Sequence, residues 1–184
     1  METFIALLRG INVSGQKKIK MADLRTQLEP LGFKQIQTYI QSGNIVFQSA
    51  ITDPQQLARK IEQRIKEVYD FEVPTLILSP NTLQQILNDN PFTAEDPSVD
   101  TKQLYFTLLN ASPAKEPLAK LASFQFSNER FQVIDHVIYC HYEQGYGRSK
   151  MNNTFFEKQL KVRATTRNWR TMNKLLEMGI NLEE

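Results

Sequence analysis

Arg9, Asn12, Lys18 and Lys20 surround a glycine-spaced segment, Gly10-Ile-Asn-Val-Ser-Gly15, that follows the apolar run Phe4 to Leu8. Glycines at that spacing after a strand outline a phosphate-binding loop. The outline breaks at two points: Gln16 stands where a lysine is needed, and no serine or threonine follows to hold magnesium. A looser anion nest remains, in which backbone N–H groups near Gly10 and Gly15, with the cations beside them, would hold a phosphate or carboxylate. The competing reading is a charged, solvated loop.

The segment Thr165-Thr-Arg-Asn-Trp169 carries more donors still. Thr166 is placed to cap a final helix running from about Arg167 to Met178, whose unsatisfied N–H groups would point at an anion. Arg167, Asn168 and Arg170 add side-chain donors, and the guanidinium fork suits phosphate or carboxylate. Trp169 either stacks on a base or anchors the core, since Met172 and Leu176 share its helical face. In the turn Gln41-Ser-Gly-Asn44, Ser42 and Asn44 first shape the turn. Polar side chains at a strand edge also suit the lining of a site.

Catalysis has thinner support. Cys140 and His141 are neighbours in a strand, and neighbours point to opposite faces, so they form no nucleophile–base pair. Cys140 shares its face with Ile138 and Tyr142, which predicts burial. Two histidines and one cysteine give no zinc spacing. Glu95, Asp96 and Asp100 lack the glycine-centred spacing of a calcium loop. No catalytic residue, metal or cofactor is assigned.

The elements that must position these groups follow from periodicity. Phe4 to Leu8 reads as a buried strand, Met21 to Leu31 as a helix closed by Gly32, and residues 36–47 as a hairpin. Asp53-Pro54 opens a second helix striped by Leu57, Ile61, Ile65 and Val68, and residues 73–78 form a fourth strand. That order, β-α-β-β-α-β, is the split βαβ or ferredoxin-like arrangement. Residues 79–102 read as a helix and an acidic, proline-containing linker. The pattern then repeats in residues 103–184: a strand to Leu109, a helix opened by Ser112-Pro113, a hairpin around Asp135-His136, and a helix with Thr154 and Glu157 as a capping box. There the repeat stops, with the closing strand replaced by the final helix ended by Gly179. The expected fold is therefore α+β: two tandem ferredoxin-like units from a diverged duplication, the second incomplete and ending in extra helices.

The bulk properties frame these sites. The 184 residues carry a net charge of +2 and are 41% hydrophobic. Mean hydropathy is −0.42, and no apolar run approaches the ~18–20 residues of a membrane span. Glu2 and Arg9 also spoil a signal peptide. A single cysteine excludes an internal disulfide and fits a reducing compartment, so a cytoplasmic location is expected. Charge is uneven: between Arg148 and Lys174 there are eight basic residues and one acid, Glu157. Such a stretch favours an anionic partner, or is a solvated helical face.

Four stretches carry a resemblance: Arg9-Gly-Ile-Asn-Val-Ser-Gly15 with Lys18-Ile-Lys-Met21, Tyr39-Ile-Gln-Ser-Gly-Asn44, Asn90-Pro-Phe92, and Asn153-Thr-Phe-Phe-Glu157 followed by Ala164-Thr-Thr-Arg-Asn-Trp169. Together, in this order, the sequence resembles the bacterial family catalogued as domain of unknown function 1697. Ser14 is a small departure, since many members carry glycine there. The resemblance implies a bacterial cytoplasmic protein with a duplicated α+β fold, and no activity.

Three functions are open at this stage. The leading one is non-catalytic binding of an anionic ligand, a nucleotide, a phosphate metabolite or single-stranded nucleic acid, through the Arg9–Lys20 loop and the Arg167 segment. The second is an enzyme on a small phosphorylated or carboxylated metabolite, with Tyr39, Asn44 or Ser42 supplying polar chemistry. The third is a protein-interaction module or homodimer paired through edge strands. RNA binding of the kind that uses exposed sheet aromatics is disfavoured, because the third strand offers only Phe47 and the first looks covered.

Overall fold

A computed structural model of the chain describes residues 1–13 and 15–183, without the side chain of Arg148. Expectations resting on Ser14 and on the Arg148 side chain lie outside the described residues. The strands are β1 (Glu2–Leu8), β2 (Lys34–Tyr39), β3 (Asn44–Ser49), β4 (Thr75–Leu78), β5 (Leu104–Leu109), β6 (Glu129–Ile134), β7 (Val137–Tyr142) and β8 (Ala164–Asn168). The helices are α1 (Met21–Leu28), α2 (Pro54–Tyr69), α3 (Pro80–Asn88), α4 (Pro91–Glu95), α5 (Lys115–Ala122), α6 (Asn153–Leu160) and α7 (Trp169–Asn181). The chain divides into two compact units, residues 1–84 with 174–184, and residues 85–173. The expected boundaries left the C-terminal residues with the second unit; the last eleven belong with the first.

The first unit holds a four-stranded antiparallel sheet in the order β2-β3-β1-β4. One face packs on α1 and α2. Phe4, Ala6 and Leu8 of β1, with Ile45 and Phe47 of β3, meet Leu24, Leu28, Leu57, Ile61 and Ile65 of the helices. Strand alternation turns Ile5, Leu7 and Val46 to the other face, and these are buried as well. Residues of α7 and the turn after it cover that face: Gln48 Nε2 donates to Leu182 O at 2.7 Å, and a Cβ on Gly179 would lie 3.0 Å from Pro80 Cγ and 3.5 Å from Ile5 Cδ1. Gly179 therefore sits inside α7 as a close-packing residue, not as the expected helix terminator. Val68, expected in the buried stripe of α2, is exposed in that helix's last turn.

The second unit repeats the arrangement with the order β6-β7-β5-β8. Its core joins Ile138, Cys140 and Tyr142 of β7 to Leu121, Phe156 and Leu160 of the helices. Here the sequence expectation needs correction, because the unit is not left without its closing strand. Residues 164–168, in which Thr166 was expected as a helix cap and Arg167 as the helix start, form β8 and pair with β5 from Tyr105↔Asn168 to Leu109↔Ala164. The residue types explain the misreading. Thr-Thr-Arg-Asn is polar enough to pass for a helix cap, and only the sheet supplies its partners.

Several caps also shift. Asn152, not Thr154, caps α6 by accepting from Phe155 N–H at 3.1 Å. Ala114 precedes α5 without a side-chain cap. The linker is partly helical: Asn90 Oδ1 accepts from Phe92 N–H at 3.0 Å, Pro91 opens α4, and Phe92 is buried.

Candidate functional site

In the first unit, Asn12 organises the loop between β1 and α1. Its backbone adopts φ 55°. Its amide nitrogen donates to Ile19 O and Gln41 O, each at 2.8 Å, while its Oδ1 accepts from Ile19 N–H at 2.9 Å. Asn12 N–H also donates to Lys17 O at 3.2 Å. One side chain thus closes the loop on itself and ties it to the β2–β3 turn. Asn44 locks that turn from within. It is buried, and its amide donates to Tyr39 O at 3.0 Å and Ser42 Oγ at 2.9 Å. Leu8 N–H donates to Gly43 O at 2.8 Å. Loop and turn form one assembly, and the sequence-derived residues Arg9, Asn12, Lys18, Lys20, Ser42 and Asn44 all belong to it.

Within that assembly the roles separate. Asn12, Ser42 and Asn44 hold the backbone. Arg9 is half-buried, with its N–H on Pro74 O at 2.9 Å. Lys17 Nζ is tethered to Glu72 O at 2.6 Å. Lys18 and Lys20 are exposed. Ile40, at the turn, is a β-branched residue at φ 47° and 50% exposed, a costly conformation held by the bonds around it. A backbone held by these bonds, with Lys18 and Lys20 exposed on it, can receive an anion without first ordering the loop.

In the second unit, Thr166, Arg167 and Asn168 stand differently from expectation. Thr166 does not cap the helix. Its hydroxyl donates to Asn153 Oδ1 at 2.7 Å and lies 2.7 Å from the Thr107 hydroxyl. Asn168 is the cap, accepting from Thr171 N–H at 2.8 Å. Arg167 lies in β8 opposite Phe106, only 8% exposed, with Nη1 donating to Thr166 O at 2.9 Å. Glu157 Oε1 accepts from Ala164 N–H at 3.0 Å. The segment around Thr166, singled out for ligand chemistry, thus clasps the segment around Asn153. Trp169 stacks on Phe106 with centroids 5.8 Å apart, as a packing residue.

The remaining reactive groups are interior. The Cys140 thiol is fully buried, and burial pushes its pKa up to about 12, so it is not a thiolate at neutral pH. His141 is buried on the opposite face of β7. Gln103 Oε1 lies 2.8 Å from its Nε2, and Nδ1 is buried with no partner among the described residues. Burial first, and the Arg130 charge second, lower its pKa. Phe47 is fully buried on the helix side of its sheet, and Phe106 and Tyr139 are buried in theirs. The described residues contain no cluster of three metal-ligating side chains. None of the described helices is long and apolar enough to cross a membrane.

Sequence reasoning missed the Asn12–Gln41 tie, since nothing in the spacing of residues 12 and 41 announces it. The only trace was that both segments carried the family resemblance.

Two α+β units, each a four-stranded antiparallel sheet with helices, and a clamped basic loop define the class of protein. Residues 1–139 match the family described as protein of unknown function DUF1697, and the chain belongs to that family. Among solved structures it is similar to a conserved bacterial protein from Streptococcus pneumoniae, at 27% sequence identity and a TM-score of 0.71, covering 96% of this chain and 97% of that one. No curated protein sequence matches.

Proposed function

We propose that the chain is a non-catalytic binder of phosphate-bearing ligands, nucleotide, phosphate metabolite or single-stranded nucleic acid, and that the loop between β1 and α1 holds the phosphate. The observation that carries this reading is the exposure of Lys18 and Lys20 on a loop whose backbone Asn12 fixes at both ends. Arg9 completes the cationic set. Asn12, Ser42 and Asn44 position it. Thr166, Arg167 and Asn168 support the fold of the second unit in this reading, and the Arg167 guanidinium is too buried to serve a surface site. The two units are tandem ferredoxin-like repeats of one ancestral unit, a reading supported by their shared β-α-β-β-α-β element order and corresponding strand orders.

A thermal-shift screen at low salt tests the function. Nucleotides, sugar phosphates, carboxylates and oligonucleotides are compared on the wild type and on a Lys18→Glu/Lys20→Glu variant. A phosphate ligand at 100 times its Kd stabilises by about 2.7 kcal/mol, and the variant should lose that shift while melting normally on its own. A shift only with carboxylates, or one retained by the variant, counts against the reading.

A further inference from the structure

We propose that β6 is the contact strand of a symmetric dimer, pairing antiparallel with β6 of a second copy about a two-fold axis at Phe131. In the sheet order β6-β7-β5-β8, β6 is an edge strand, bonded to β7 alone. The phase of that ladder is set by Glu143 N–H donating to Asn128 O at 3.1 Å. Opposed pairs in an antiparallel ladder alternate between bonded and non-bonded. Arg130, Gln132 and Ile134 therefore bond to β7, and the N–H and C=O groups of Glu129, Phe131 and Val133 face outward. A groove of about 640 Å³ runs beside them, lined by all five residues from Glu129 to Val133, with Phe92 and Phe126 among its walls. Among the described residues, no backbone hydrogen bond reaches these outward groups.

The corresponding edge of the first sheet is blunted. β2 breaks register between Lys34 and Gln37, carries Gln35 at φ 49°, and begins with an exposed lysine. Bulges and lysines are the usual protection of an edge strand. β6 has neither: its register with β7 is unbroken from Glu129 to Ile134.

Charge selects both the occupant and the register. Outward backbone groups pair only with outward backbone groups, so successive registers differ by two residues. Centring on Arg130 sets that arginine against itself. Centring on Gln132 sets Glu129 against Asp135. Centring on Phe131 sets Phe131 against its twin, Glu129 against Val133 and Arg130 against Gln132, with no like charges opposed. The strand is thus self-complementary in one register, as a closed two-fold contact requires.

Light scattering on a sizing column across a dilution series tests this, with Val133→Pro alongside. The Val133 N–H points outward, so proline removes an intermolecular bond and leaves the β7 ladder intact. The wild type should have dimer mass at about 100 µM and fall toward monomer on dilution, while the variant stays monomeric. Should Val133→Pro fail to fold, Gln132→Arg decides. It keeps a donor for Glu95 but faces Arg130 of the second copy, and should weaken the dimer. A wild-type monomer at about 100 µM, or dimer mass unchanged in the folded variants, overturns the proposal.

Discussion

Asn12 carries more of the first unit's loop than any other side chain, with three side-chain hydrogen bonds to backbone groups of Ile19 and Gln41. Removing it leaves those groups to water or to nothing. Asn12→Ala should destabilise the protein by about 1–3 kcal/mol, read as a lower midpoint in urea, and should weaken phosphate binding although the residue itself touches no ligand. His141 makes the opposite kind of prediction. Its folded-state pKa is lowered from the ordinary 6.5, so below that value the unfolded chain takes up a proton that the native state resists. Stability should therefore be full above about pH 7 and fall as pH drops through the region beneath 6.5. His141→Gln should flatten that part of the profile in denaturant titrations at successive pH values. The burial of Cys140, with His141 turned to the opposite face, was legible in the alternation of β7, whereas the burial of His141 was not. Nor was the buried, partnerless Nδ1, because it depends on what Gln103 and Phe92 bring from outside the strand.

At the scale of elements, the hairpin turn shows what a close approach demands. Gly43 has φ 78°, and an added Cβ would lie 2.6 Å from Leu8 Cβ and 2.9 Å from Ile11 Cδ1. Backbone conformation and space both exclude a side chain. Gly43→Ala should cost about 2–4 kcal/mol in thermal or chemical denaturation. The sequence marked this segment as a turn through its residue types, and likewise marked β1, α2 and the β6–β7 hairpin, whose periodicity is strong and local. β8 escaped because its five residues, Ala-Thr-Thr-Arg-Asn, carry no apolar alternation, and their pairing with β5 reaches some 60 residues back along the chain. The clasp between Thr166 and Asn153, 13 residues apart, was hidden as well, because it joins two polar side chains that no periodicity relates.

For the whole molecule, the uneven charge that first suggested an anion site is redistributed by folding. Arg167 goes inside, and Lys174 pairs with Glu177. Lys150, Lys158, Lys161, Arg163 and Arg170 stay exposed, and Lys18 and Lys20 are distinguished from them by the Asn12-clamped loop that carries them. The central claim is that these two lysines bind phosphate. Calorimetric titration with tripolyphosphate at rising sodium chloride tests it most directly, on the wild type and on Lys18→Glu/Lys20→Glu. Saturable binding that weakens as salt rises, and that is lost in the variant, is the predicted result. Binding of equal strength in both proteins, or no heat in either at low salt, would contradict it.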